Sequence, residues 1–264
     1  ARRLGAFLLT EPGAGSDAAA LTTMARRDGK GWVIEGEKAW VTCGAVADVL
    51  SVYAQTDAEA GSRGIACFLV DAETKGVTRT PPYALMGGHA MGVGGFEFSG
   101  CRVGDEAVLI APGAAFKAAL AGIDIGRIMI AAMCCGMLRD GLDTAVAYAS
   151  KRRAFGRATS EFQGVQWLLA DAATSLEASR LLTYEAARAF DAGTGAGLAS
   201  AHAKKFASHA AADGLSGCMS AMGAAGARAE EPLGRHLANA KLAQFMDGTS
   251  EIQNVVIARA LLRR

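Results

Sequence analysis

Phe162-Gln163-Gly164-Val165-Gln166-Trp167-Leu168-Leu169-Ala170-Asp171-Ala172-Ala173-Thr174-Ser175-Leu176 decides the architecture of the second half of the chain. Phe162, Val165, Leu169, Ala172 and Leu176 recur at alternating steps of three and four residues, which places them on one face of an α-helix. A stripe of that kind buries against other helices, so the segment predicts a bundle. Upstream, Ile130, Cys134, Met137, Gly141 and Ala145 repeat the pattern, with Arg139, Asp140 and Asp143 on other faces, and Gly156 and Arg157 separate the two helices. Downstream, the turn 193–197 precedes an Ala-rich helix over about 198–222, another runs from Pro232 to Met246, and a last helix from Thr249 to the end. Residues 114–264 therefore read as an antiparallel four-helix-bundle domain.

Residues 1–113 have a different texture. Short apolar runs alternate with turn signals such as Asp28-Gly29-Lys30-Gly31. Candidate strands are Phe7–Thr10, Trp32–Glu35, Ala39–Thr42, Val49–Gln55, Ile65–Val70 and Gly95–Phe98, the spacing of a small β-barrel or sheet domain. The Gly-rich Met86–Gly95 reads as a loop. The fold class expected is α+β, a β domain followed by a helical one.

With 264 residues and 51% hydrophobic content the chain has ample material for a core. A net charge of +1, with Lys and Arg dispersed, gives no electrostatic case for nucleic acid. No apolar run is read as approaching a bilayer span, and the expectation is a soluble, cytoplasmic protein with no membrane partner. The six cysteines form no Cys-x-x-Cys pair and read as buried reduced thiols; the four histidines are scattered, and no metal site is expected.

Four stretches could carry chemistry. In Phe245-Met246-Asp247-Gly248-Thr249-Ser250-Glu251-Ile252-Gln253, a carboxylate stands at a helix break, beside a glycine that can take left-handed angles. Thr249 and Ser250 offer N-cap chemistry, and Ser250 and Gln253 are spaced as a capping box. A base beside free backbone N–H groups can remove a proton next to a carbonyl; the plainer reading is a helix junction. In Thr10-Glu11-Pro12-Gly13-Ala14-Gly15-Ser16-Asp17, hydroxyls flank glycines whose backbone can lie against a flat ligand, although the stretch could equally be a turn. A dinucleotide fingerprint is missing its third glycine there. Alternation on the strand 39–42 would put Trp40 and Thr42 on one face, suited to a flat ring or to the core. Lys151-Arg152-Arg153-Ala154-Phe155-Gly156, with Gln163 beyond, could hold a diphosphate or simply answer a helix C-terminus.

In order and spacing, these four stretches together closely resemble the acyl-CoA dehydrogenase family of flavoproteins, and the resemblance covers essentially the whole chain. It implies a middle β domain and a C-terminal helical bundle, and a chain that starts inside the first β-domain strand, without the family's N-terminal helical domain. It implies FAD as cofactor. Thr10 and Ser16 would bond the flavin ring, Trp40 and Thr42 would pack along it, and Thr249 and Glu251 would touch the cofactor near the last helix. Arg152, Phe155 and Gln163 would reach the FAD of a neighbouring subunit, implying a homotetramer or homodimer. Ala221–Gly226 stands where relatives place a Gly-rich loop meeting FAD across an interface. Ser16, Asp124, Arg127 and Gly248 would contact an acyl-CoA or acyl-carrier-protein substrate, with Asp124 and Arg127 along the CoA arm; the plainer reading of Arg127 is a solvated residue at a helix start, where the dipole mildly disfavours a cation.

The implied reaction is α,β-dehydrogenation of the acyl thioester to the 2-enoyl thioester, with Asp247 as α-proton base and hydride transfer to flavin N5. The N–H of the base residue and a ribityl hydroxyl would bond the thioester oxygen. Asp247 departs from the family. Most relatives carry glutamate there, and a minority carry it at the position of Gly126; aspartate is shorter by one methylene, about 1.5 Å. A flavin oxidase or monooxygenase, or a non-catalytic subunit, are the alternatives, and an electron-transfer flavoprotein is a candidate electron acceptor.

Overall fold

The computed structural model describes residues 3–262. Ala1, Arg2, Arg263 and Arg264, which the sequence reading runs into the first strand and the last helix, lie outside the described residues. The chain divides into two compact units, 1–122 and 123–264.

The first unit is a mixed sheet of eight strands: β1 (Gly5–Leu8), β2 (Met24–Asp28), β3 (Gly31–Val41), β4 (Val49–Gln55), β5 (Ile65–Asp71), β6 (Val77–Arg79), β7 (Gly94–Gly104) and β8 (Val108–Ile110). Its order is β6-β7-β3-β2-β4-β5-β8, with β1 parallel to β4. The runs 32–35 and 39–42, expected as two strands, are one strand. β3 continues through Gly36, held at φ 141°, by shifting register against β7 between Ile34 and Gly36 and again between Lys38 and Val41. Sequence reading passes over β2, β6 and β8. In β2 (Met-Ala-Arg-Arg-Asp) only Ala25 is buried, so no alternation shows, while β6 and β8 are three residues each. Leu8, Ile34, Leu50, Phe68 and Phe96 form the fully buried centre of this unit. Each such side chain contributes about 2 kcal/mol on burial.

The second unit is helical: α1 (Ala115–Lys151), α2 (Gln163–Asp191), α3 (Gly197–Met222), α4 (Pro232–Ala243) and α5 (Ser250–Leu262), with a two-stranded hairpin of β9 (Arg153–Ala154) and β10 (Arg157–Ala158) between α1 and α2. The first turns of α1 precede the division between units. Glycines let α1 and α3 approach closely. A Cβ at Gly141 would lie 2.3 Å from Leu215, and one at Gly214 would lie 2.6 Å from Leu138. Leu138 and Leu215 interlock across the gap, so small residues on each helix receive a leucine from the other.

One expectation needs correction here. α1 contains an 18-residue stretch of mean hydropathy 1.7, enough by length and composition to cross a membrane. The stretch escapes a search for uninterrupted apolar runs because Asp124 and Arg127 break α1 into shorter ones. Ile128, Ile130, Ala131, Cys134, Met137 and Leu138 of this helix are buried in the core of the unit.

Candidate active site

α4 ends at Ala243 and α5 begins at Ser250, and the chain reverses between them on two successive left-handed residues, Asp247 (φ 49°) and Gly248 (φ 88°). Aspartate is among the few non-glycine residues that visit this region readily. The reversal leaves the carbonyls at the end of α4 without helical partners, and three side chains from three other helices take them. Lys204 Nζ donates to the carbonyls of Gln244 (2.9 Å) and Gly248 (2.8 Å). Arg127 Nε donates to the carbonyl of Asp247 (3.0 Å), and Gln253 Nε2 to that of Gly248 (2.8 Å).

The anticipated capping box is not formed. Gln253 is fully buried with its amide turned back to the turn, and Ser250 Oγ meets His209 Nε2 at 3.1 Å. Thr249 caps instead, its hydroxyl accepting from the Ile252 N–H at 3.4 Å. The carbonyl demand of the left-handed turn outweighs the usual reciprocal cap.

Burial pushes the Asp247 carboxyl above the ordinary aspartate range, while the Arg127 and Lys204 cations oppose that rise. The carboxylate lies against Gly126 of α1, where a Cβ would stand 2.0 Å from Asp247 Oδ2. Gly126 thus supplies the space the carboxylate fills. The next residue, Arg127, is only 8% exposed and donates Nη1 to Asp124 Oδ1, one turn back, at 2.9 Å. Arg127 lies well inside α1, not at a helix start as expected, because the helix begins at Ala115. Asp124, Arg127, Asp247 and Gly248 are therefore brought together within the second unit.

In the first unit, Thr10 is half-buried and Ser16 is exposed, on either side of a turn in which Glu11 and Ala14 exchange backbone hydrogen bonds. Added Cβ atoms at Gly13 and Gly15 would meet nothing within 4 Å, so this backbone is open on that side. Glu11 anchors the turn. Its carboxylate accepts from Thr22 N (2.6 Å), Thr22 Oγ1 (2.7 Å), Thr23 N (2.9 Å) and Lys38 Nζ (2.8 Å). Lys38, with no exposed surface, also donates to the Leu9 carbonyl at 3.0 Å. The Lys38 and threonine donors hold the Glu11 carboxyl down at about 2 against the cost of its burial, while burial lowers Lys38 to about 8.

That ion pair ties the Thr10–Ser16 turn to the strand carrying Trp40. The Ala39 N–H reaches the Thr10 carbonyl at 2.9 Å. Trp40 itself is 58% exposed at φ 58°, its ring 4.6 Å from that of Tyr83. Trp40 and Thr42 are both exposed, where the sequence left a shared face open to either a ligand or the core; Trp40 stands in the break in β3 register after Lys38, at a positive φ.

Arg152, Phe155 and Gln163 are exposed around the β9–β10 hairpin. Its two-residue turn, Phe155 (φ 51°) and Gly156 (φ 81°), is positive at both positions, the hairpin geometry that suits strand twist. It holds Phe155 95% exposed, with Phe162 edge-on at 6.1 Å. Thr249 is half-buried and Glu251 exposed at the start of α5. The turn Gly223–Ala227 closes α3; a Cβ at Gly226 would lie 2.8 Å from the Met219 carbonyl, so the chain folds tightly back there.

Sequence reasoning missed Glu11 and Lys38 as a pair, and Lys204 and Gln253 as clamps. A signal existed for Lys204: Ser200, Lys204 and Ser208 recur every four residues in an Ala-rich helix and are all fully buried. A polar stripe on a buried helix face demands partners.

The β unit followed by a helical unit that frames a carboxylate at a left-handed turn is the architecture of one class of oxidoreductase. The sequence model described as acyl-CoA dehydrogenase, C-terminal domain, matches residues 113–262, and that of the middle domain matches residues 6–101. The chain belongs to the acyl-CoA dehydrogenase family. It is 38% identical to the probable acyl-CoA dehydrogenase FadE25 of Mycobacterium tuberculosis, over 98% of this chain and 67% of that protein. It is 40% identical to the human mitochondrial short-chain specific acyl-CoA dehydrogenase, over 99% of this chain and 63% of that one. The structure of butyryl-CoA dehydrogenase from Megasphaera elsdenii superposes with a TM-score of 0.97 at 35% identity, covering 99% of this chain and 69% of the other. The chain thus spans about two thirds of the length of these relatives.

Proposed function

We propose that the protein is an FAD-dependent enzyme that dehydrogenates an acyl-CoA thioester between its α and β carbons, with Asp247 as the base. The observation that carries the reading is the Asp247 carboxylate, whose proton affinity burial raises while Arg127 and Lys204 restrain it. A carboxyl raised in this way is better matched to a thioester-activated C–H than an ordinary exposed one. It retains a cationic setting that favours the ionised, proton-accepting form.

The residues present fit FAD. In the first unit, an exposed indole held in a left-handed conformation, the hydroxyls of Thr10, Ser16 and Thr42, and the open backbone of Gly13 and Gly15 offer a flat platform with hydrogen-bonding groups beside it. When bound, the flavin supplies the acceptor for the β-hydrogen, as hydride at N5. Asp247 takes the α-proton, and its backbone N–H is the proposed donor to the thioester oxygen, where negative charge develops. Gly126 keeps the carboxylate's space clear. Arg127 and Asp124 form a positioned pair next to the base, and Arg127 and Gly248 are proposed contacts of the substrate arm.

The exposed Arg152, Phe155 and Gln163 are proposed to meet FAD of a neighbouring subunit, giving a homo-oligomer; a nearly fully exposed phenylalanine on a preformed hairpin supports such a contact. An electron-transfer flavoprotein is the proposed electron acceptor, and the cytoplasm the proposed location. Anaerobic titration of the FAD-loaded protein with acyl-CoA thioesters of graded length tests the proposal. Bleaching of the flavin is expected, slowed roughly a hundred- to ten-thousandfold in Asp247→Asn. A protein that holds FAD yet bleaches with no thioester overturns the reading, and rapid peroxide formation would reassign it as an oxidase.

A further inference from the structure

The turn that presents Asp247 is held by a buried ammonium group whose hydrogen-bond partners among the described residues are two backbone carbonyls. Lys204 Nζ, on a side chain with no exposed surface, bonds the carbonyl three residues before Asp247 and the one immediately after it. Among the described residues no ion pair consumes its charge. Among the groups that act on Lys204, Asp247 is the foremost in favouring its charged form, ahead of Cys134 of α1 and Glu251 of α5, whereas Arg127 of α1 opposes it. Three other titratable groups of these elements, Asp124, His209 and Lys241, have partners of their own. Asp124 is bound to Arg127, His209 to Ser250, and Lys241 of α4 to the Gln244 side chain.

We infer that Lys204 is a positioning residue for the base: it clamps both sides of the Asp247 turn through backbone carbonyls and places an uncommitted positive charge behind the carboxylate. The inference deepens the proposed function and rests on Asp247 being the base. Burial lowers the Lys204 ammonium to about 8, so the positive charge is full below that pH and is withdrawn above it, where the neutral amine keeps two N–H donors for the carbonyls. The Asp247 carboxyl, relieved of one of its two cations, then rises further.

The test is the pH dependence of flavin reduction, from about pH 5 to 9.5, for wild type, Lys204→Met and Lys204→Arg, alongside a carbon-13 NMR titration of the Asp247 carboxyl that needs no thioester. In wild type, an acid limb from Asp247 and a second inflection near 8 are expected. In Lys204→Met the acid limb and the NMR midpoint move up by about one unit, and the inflection near 8 disappears. In Lys204→Arg, which stays cationic throughout, the acid limb stays lower than in the methionine variant and the inflection is again absent. Should Lys204→Met not fold, wild type and Lys204→Arg decide the matter: an inflection near 8 that survives in arginine overturns the inference. A folded Lys204→Met with lower thermal stability and an unmoved acid limb also overturns it, leaving a structural lysine. Wild-type flavin that no thioester bleaches would sink the proposed function instead, and the carboxyl titration would still judge Lys204.

Discussion

Two buried lysines, one in each unit, are used in opposite ways. Lys38 of the β unit meets a carboxylate directly, Glu11, and spends its charge on fixing a turn. Among the described residues, Lys204 of the helical unit hydrogen-bonds only carbonyls, so it fixes a turn and keeps its charge for a neighbour. Burial lowers both to about 8. The difference teaches that a buried cation's role is set by whether its first partner neutralises it.

Breaking the first pair should cost most. Glu11→Gln preserves shape but leaves the Lys38 ammonium buried without its counter-charge, and a loss of about 3–5 kcal/mol is expected in thermal or denaturant unfolding of the β unit followed by tryptophan fluorescence. Lys204→Met strands carbonyls, not a charge, and should cost about 1–3 kcal/mol in the same assay. Equal losses would remove the distinction drawn here.

Next in size is acid sensitivity. The Glu11 carboxyl is lowered from 4.5 to about 2 in the folded state. Between those values the unfolded chain binds the extra proton, so the contribution of Glu11 is full above pH 4.5 and fades as pH falls towards about 2. The loss should be on the order of 3 kcal/mol, and the Glu11→Gln protein should lack that share of the acid slope. The lysines act with the reverse timing. Folded values near 8 lie below the ordinary 10.5, so the penalty of burying each charge is present below pH 8 and lifts as pH rises through 10.5.

Smallest is Gly126→Ala. The added methyl displaces the Asp247 carboxylate, and flavin reduction should slow by roughly ten- to a hundredfold. Alanine is the better helix former, so thermal stability should hold or rise slightly. Unchanged rates would show that the carboxylate does not need that space.

The helical unit was largely legible because its signal is periodic: the three- and four-residue recurrence in 162–176 lies along α2, and Gly193 and Pro232 mark turns. The sheet was less so. A strand such as β2 buries one side chain of five, and β3 crosses Gly36 and a second register break, so local pattern could neither find the one nor join the halves of the other. Asp247 was legible as a carboxylate beside a flexible glycine. Its surroundings were not, since Gly126, Lys204 and Gln253 come to it from distant parts of the chain. Glu11 and Lys38 looked like surface residues for the same reason: each is a charge in a local frame and a pair only in three dimensions.

The left-handed backbone at Asp247 bears on why a short acid stands at this position. Asparagine and aspartate populate that conformation more readily than a longer side chain does. What the residue gives up in reach it recovers in fit: its backbone takes the left-handed turn readily, with the carboxylate against Gly126. The proposed base is thus less a long arm than a short one on a joint that suits it, and its reach would be set by how close the proposed thioester is brought to it.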